Sequence, residues 1–208
     1  MPTPSIQPRP ASIRARTNDK LLDAAEALFF TQGIAATPID AVLARAGVSA
    51  ASLYRGYPSK EALVAAALAR RQGVWIQTWE AAIAEATTDE DRLLAVFTAH
   101  DRFRANQAGA RWCAFLGSAA EYAHPPVELA DAVRLDSREL RRRLTELAVP
   151  LAHAEAARLA EELVLVVSGA LAMRLREEGP DPTATARHVA VALLAAFAAD
   201  RPAGERTD

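Results

Sequence analysis

Residues 37–60, TPIDAVLARAGVSAASLYRGYPSK, decide how the rest of the chain is read. They predict two short helices joined by a tight turn. Pro38 suits the first helical position, where the amide it lacks would have had no partner, and Thr37 before it offers a capping oxygen. Ile39, Val42 and Leu43 give this helix an apolar face, and Ala46 allows close approach of a neighbour. Gly47 supplies the left-handed turn and Val48 plugs the corner. Ser49 is placed to cap the second helix, which turns Leu53 and Tyr57 inward. Its outward residues are Ala50, Ala51, Ser52, Tyr54 and Arg55. An outer surface so small and polar fits a DNA major groove, as in the helix-turn-helix arrangement.

Upstream, Leu21, Leu22, Ala25, Leu28 and Phe29 recur at helical spacing until Gly33, predicting a bracing first helix with Thr17 as its cap and Asp19 in its first turn. Arg14 and Arg16 lie just before it. They read equally as an arm reaching phosphate or minor groove and as two solvated side chains. Residues 1–13 are expected to be a tail, with prolines and without the apolar core of a secretory signal.

The ordered set AGVS, then SLY, then Tyr57, Pro58, Ser59, Lys60 and Glu61, preceded by LLDAAEALFFTQG at residues 21–33, resembles the amino-terminal signature of the tetracycline-repressor (TetR) family of bacterial regulators. The resemblance runs from about residue 17 to 63; beyond it the likeness is one of architecture. It implies a homodimeric DNA-binding regulator that responds to a small molecule, most often a repressor acting on a palindromic double-stranded operator. Carried onto this chain, and taken with the face each residue occupies, it puts Thr17, Thr37, Tyr54 and Lys60 at phosphates, and Ser49, Ala50, Ala51, Ser52 and Arg55 at bases. Two positions depart from the pattern. Gly56 stands where the family often has an aromatic or histidine, and Pro38 where a hydroxyl is usual.

Composition agrees with a folded protein. Of 208 residues 51% are apolar and 24% charged, and no uninterrupted apolar run is long enough to predict a membrane span. Cys113 is the single cysteine, so no internal disulfide is possible, and the cytoplasm is the expected compartment. Net charge is −2, but the first sixty residues hold seven Lys and Arg against four acids, a net of +3, leaving −5 for the remainder. That sign suits a head that meets phosphate.

The rest predicts an all-α body, giving a helix-turn-helix head over 14–60, a helical ligand and dimerisation domain over 61–200, and a tail over 201–208. From Ser59, as a cap, one helix runs to about residue 86, with Val64, Leu68, Trp75, Trp79 and Ile83 on one stripe. A helix capped by Thr88 or Asp89 turns Leu93, Val96, Phe97, His100 and Phe103 inward. Residues 110–123 are apolar nearly all round and predict a buried central helix. The next helix covers 127–148, with Arg141, Arg142 and Arg143 outward, and breaks at Pro150. Two alanine-rich helices follow, the last begun by Asp181 and Pro182.

Leu159, Leu163, Val167, Leu171, Val189, Leu193 and Phe197 on those helices are expected to form a seam with a second copy, against the alternative of packing within one chain. Trp75, Trp79, Phe97, Trp112, Phe115, Leu116 and Tyr122, with His100 and Arg104 as polar members, are the expected small-molecule site. Each aromatic can also be plain core, and Arg104 can pair with Glu121 or Asp101. Glu121 to His124 has the Glu-x-x-His spacing of di-iron bundles, but only one copy exists. Cys/His metal spacing, a phosphate loop and a nucleophile elbow are lacking. The expectation is therefore a non-enzyme with no cofactor. The competing reading is a helical small-molecule binder or scaffold that has kept the head without using it.

Overall fold

Six apolar residues of the first helix set the packing of the head. In the computed structural model, which describes residues 14–105, 113–176 and 181–199, α1 (Ala15–Gln32) buries Leu21, Leu22, Ala24, Ala25, Phe29 and Phe30. Against them lie α2 (Ile39–Ala46) and α3 (Ala50–Gly56), contributing Val42, Ala46 and Leu53. Gly47 turns between these two with φ 63, and the amide of Val48 donates to the carbonyl of Leu43 at 3.1 Å. Ser49 caps α3 as its position requires, accepting from the Ser52 amide at 3.3 Å.

The helix α4 (Lys60–Ala84), capped by Ser59, belongs to both halves. Leu63, Val64, Ala67 and Leu68 from its first turns complete the head core, together with Ala114, Phe115 and Leu129 from the body. Trp75, Trp79 and Ala82 from its later turns enter the body core. There it packs against α5 (Asp89–Ala105) and α7 (Val127–Ala152), while α8 (Ala156–Arg176) and α9 (Pro182–Ala199) close the far side. Thr88 caps α5 by accepting from the Asp91 amide, and Asp181 caps α9 by accepting from that of Thr183, both at 3.0 Å. The described residues are helical throughout apart from their connections.

Five helix expectations change. α2 starts at Ile39 with Pro38 in the cap position, and Thr37 does not cap it, because its hydroxyl is turned back to the Gly33 carbonyl. Thr17 does not cap α1, which begins two residues earlier with Arg14 as its cap, so Asp19 lies beyond the first turn. The expected central helix is instead the short α6 (Ala114–Glu121), which buries Ala114, Phe115 and Ser118 while Ala119 and Ala120 face solvent. Pro150 does not end α7. The carbonyl it orphans, four residues back, belongs to Glu146 on the exposed side, where water can satisfy it, and the helix runs on to Ala152. It stops at His153, whose φ of 45 reverses the chain into a 3₁₀ turn at His153–Glu155. Arg143 is not outward either: it bridges Glu80 and Glu139 and lies over the Trp79 ring.

The expected seam also divides. Leu159, Leu163 and Val167 are enclosed by the chain's own core, because their stripe of α8 faces α7 and α9 rather than outward. Leu171, Leu193 and Phe197 are half-buried against it. On the outer side of the two helices stand Leu165, 72% exposed, with Val189 and Val191. Over its 18 residues α9 is long and apolar enough to cross a membrane by length and composition, with a mean hydropathy of 1.2. It carries Arg187 and His188 near its middle and packs on α5 and α8.

Candidate functional site

Two places in the fold collect chemistry: the outer face of α3 and a cavity in the body. On α3, Ser49, Ala50, Ala51, Tyr54 and Arg55 are exposed and Ser52 is half-buried, while Leu53 anchors the helix from beneath. One ridge is internally linked. The Ser49 hydroxyl donates to that of Ser52 at 3.1 Å, and Arg55 Nη2 donates to Ser52 Oγ at 2.9 Å. The guanidinium is thus drawn along the helix surface toward its amino end, and Tyr54, 53% exposed, stands beside it. Arg14 and Arg16 are exposed at the start of α1, Arg14 as its cap and Arg16 within it, so neither belongs to a separate arm. Residues 1–13 and 201–208 lie outside the described residues.

Two residues expected at phosphates face inward. Thr37 is fully buried, its hydroxyl donating to the Gly33 carbonyl at 2.7 Å, because the chain between α1 and α2 folds back on itself there. Lys60 is half-buried, with its ammonium donating to the Ile34 carbonyl above the Phe29 ring. Thr17 is half-buried within the first turn of α1. Tyr57 donates its phenol to Asn18 Oδ1, and burial raises its pKa.

The α1–α2 connection is held from the body side as well. Glu121, the last residue of α6, accepts from the amides of Ile34 at 3.0 Å and Ala35 at 2.7 Å. Gly33 opens this connection with a φ of 94, a backbone conformation that a side chain would strain. Spacing along the sequence gave no signal for this bond, which joins residues 86 and 87 positions apart.

The other end of α6 lines the cavity. Its volume is about 90 Å³, and its wall takes Trp75 and Arg71 from α4, His100, Phe103 and Arg104 from α5, and Cys113, Ala114 and Phe115 at the head of α6. Asp136 and Leu140 from α7, with Val167, Leu171 and Arg174 from α8, complete it. Of the expected ligand residues, Trp75, His100, Arg104 and Phe115 are brought together. Trp79 and Phe97 are filled core instead, Tyr122 packs against the head core just past α6, and Leu116, half-buried on α6, is outside the cavity wall. Trp112 lies outside the described residues. Met173 is exposed on α8 and Arg104 pairs with Asp181 at 2.6 Å, not with Glu121 or Asp101.

Polar side chains interrupt this largely apolar wall. His100 stacks on Trp75 with ring centres 4.3 Å apart, and Nε2 is buried with no hydrogen-bond partner among the described residues. Burial, reinforced by the Arg174 cation, pushes the imidazole pKa down to about 3, so His100 is neutral. Arg174 reaches Asp181 at 3.3 Å, Asp101 at 3.8 Å and the Thr183 hydroxyl through Nη2, leaving a buried Nε without a partner among the described residues. Arg71, 6% exposed, lies 4.7 Å over the Phe103 ring, and burial lowers its pKa. Burial raises the Asp136 carboxyl to about 6 against a hydrogen bond from Gln72. The Cys113 thiol is pushed up by burial, which leaves it a poor nucleophile. Cys113 also borders the cavity. Groups of His, Cys, Asp and Glu able to hold a metal do not occur among the described residues.

Residues 21–67 match the family model described as bacterial regulatory proteins of the tetR family. The whole fold is similar to that of SCO4454, a TetR-family transcriptional regulator from Streptomyces coelicolor. The TM-score is 0.79 at 25% identity, covering 89% of this chain and 98% of that one. It is similar also to a TetR-family regulator from Cytophaga hutchinsonii, with TM-score 0.76, 16% identity and coverage of 90% and 98%. A third likeness is to reduced NemR from E. coli, with TM-score 0.72, 20% identity and coverage of 85% and 97%. No curated protein matches the chain.

Proposed function

The chain belongs to the TetR family of bacterial regulatory proteins, and from that premise we propose that it is a homodimeric repressor released from its operator by a small molecule bound in the body cavity. Membership carries DNA-binding transcriptional regulation. The finer reading is supported above all by α6, whose first residues border the cavity and whose last, Glu121, holds the amides of the α1–α2 connection. A ligand that shifts the start of α6 would pull on the head through that carboxylate. A coupling of about 1 to 3 kcal/mol would suffice for regulation.

On the DNA side, Arg55 and the exposed small residues Ser49, Ala50 and Ala51 would meet base edges, with Ser52 holding Arg55. Tyr54, Arg14 and Arg16 would meet phosphate. The buried or committed states of Thr37 and Lys60 favour indirect roles, shaping the turn on which α2 and α3 stand. The dimer seam would use the outward sides of α8 and α9 around Leu165, Val189 and Val191, and two copies would present their α3 helices to a palindromic site. Such a protein works in the cytoplasm.

The test is fluorescence anisotropy with labelled duplexes from the DNA flanking the gene. A duplex should be bound by a dimer, and Arg55→Ala should weaken the complex by about 1 to 3 kcal/mol, the worth of a good bidentate base contact. Equal affinity of Arg55→Ala for the operator and for unrelated DNA of the same length, matching the unaltered protein, would remove α3 as the reading element.

A further inference from the structure

Resting on the cavity as the effector site, we infer that its ligand is a single-ring aromatic acid whose carboxylate is received by Arg174 Nε and His100 Nε2. Both atoms are buried, both belong to residues lining one cavity, and both are without hydrogen-bond partners among the described residues. A buried donor left unmade is costly, and a site with two such atoms is completed by a ligand that supplies acceptors. Arg174 donates from Nε, and its remaining guanidinium is already oriented by Asp101, Asp181 and Thr183. Neutral His100 donates from Nε2 in the tautomer that carries its proton there.

The orphaned donors select an anion over a cation. Arg104 and Arg174 are already offset by Asp181 and Asp101, and Gln72 already occupies the Asp136 carboxylate, which leaves the buried Arg174 Nε–H as the charged group in want of an acceptor. The remaining wall, with Phe103, Phe115, Leu140 and Leu171, offers apolar surface to a ring. Size sets the limit. About 90 Å³ is less than the roughly 150 Å³ that encloses a benzene ring, so a single ring is the largest group the cavity takes and enters only as the wall yields.

The probes are benzoate, benzamide and benzylamine, which share a ring and differ in charge, titrated calorimetrically into the full-length protein. Benzoate should bind at least ten-fold more tightly than benzamide, and benzylamine should not bind. Arg174→Lys keeps the cation but lacks the Nε–H, and should lose about ten-fold for benzoate with benzamide unchanged. His100→Leu should do the same, with thermal melts of both variants showing that they remain folded. Benzamide equal to benzoate, a preference for benzylamine through Asp136, or no binding by any of the three would overturn the inference. Operator anisotropy on the same samples separates this from the functional reading. Benzoate that binds without loosening the operator complex would sink effector release and leave the ligand class standing. A neutral arene that loosens it while benzoate does not would do the reverse.

Discussion

The head and the body use buried polar groups in opposite ways. In the head, Lys60, Tyr57 and Thr37 each have an internal partner, and the core beneath them is filled by residues such as Leu21, Leu53 and Leu63 at 0% exposure. Among the described residues, four of the five buried side-chain polar atoms without a partner, on Gln72, Trp79, His100 and Arg174, are in the body. The fifth, Ser118 Oγ, is on α6 between the two. The head gives up nothing in packing because its task is to present a rigid surface. The body gives up contacts around a cavity, which is what a binding site requires.

The largest effect that separates them is a truncation. Leu53→Ala should cost about 2 to 5 kcal/mol, a large part of the stability of a domain, since nothing nearby can collapse into the space. Leu140→Ala, half-buried at the cavity wall, should cost less than half as much in urea denaturation. Added volume should reverse the order. Ala25→Val in the closed head should destabilise by about 1 to 3 kcal/mol, whereas Val167→Ile, which can grow into the cavity, should be neutral or slightly stabilising. Equal costs for the two insertions would mean that the cavity closes in solution.

Acid titration sharpens the same contrast. As pH falls from 6 toward 4, His100 stays neutral in the fold while the unfolded chain takes up its proton, so this group withdraws stability. Asp136 does the opposite over that window, since its folded carboxyl, at about 6, is protonated before the unfolded one. The two slopes oppose each other in the unaltered protein. Relative to it, Asp136→Asn should lose about 1 kcal/mol per pH unit on acidification from 6 to 4, and His100→Phe should gain a similar amount. Parallel profiles for all three proteins would mean that water reaches both groups.

The smallest effect concerns the head alone. Lys60→Ala removes a half-buried hydrogen bond to Ile34 and should lower stability by about 0.5 to 1.5 kcal/mol while leaving the salt dependence of operator binding unchanged. A flatter salt dependence would return Lys60 to the phosphates, where its place in the sequence puts it.

What could be read without coordinates follows the range of the interactions. The turn at Gly47, the caps at Ser49, Ser59 and Thr88, and the outward residues of α3 depend on neighbours within four positions, and the residue order reveals them. Thr37 was misplaced because a hydroxyl before a proline offers a local cap, whereas here the fold of the α1–α2 connection takes it inside. The cavity was half legible. Aromatic spacing pointed to Trp75 and Phe115, but Arg71, Asp136 and Arg174 look like solvated charges on helices until three other helices close over them. On α8 the apolar stripe marked a buried face and gave no sign of which partner buries it. In the sequence Glu121 reads as half of a metal motif or as a partner for Arg104, because its true partners are two backbone amides with no side-chain signature.

The continuity of α4 through both cores has a mechanical consequence. Its 25 residues make a rod about 37 Å long. A tilt of about 3° about one end displaces the other by about 2 Å, more than half the reach of a hydrogen bond. Rearrangement around Trp75 too slight to disturb the body's packing is therefore magnified at Ser59 and Lys60, where the rod grips the α1–α2 connection of the head.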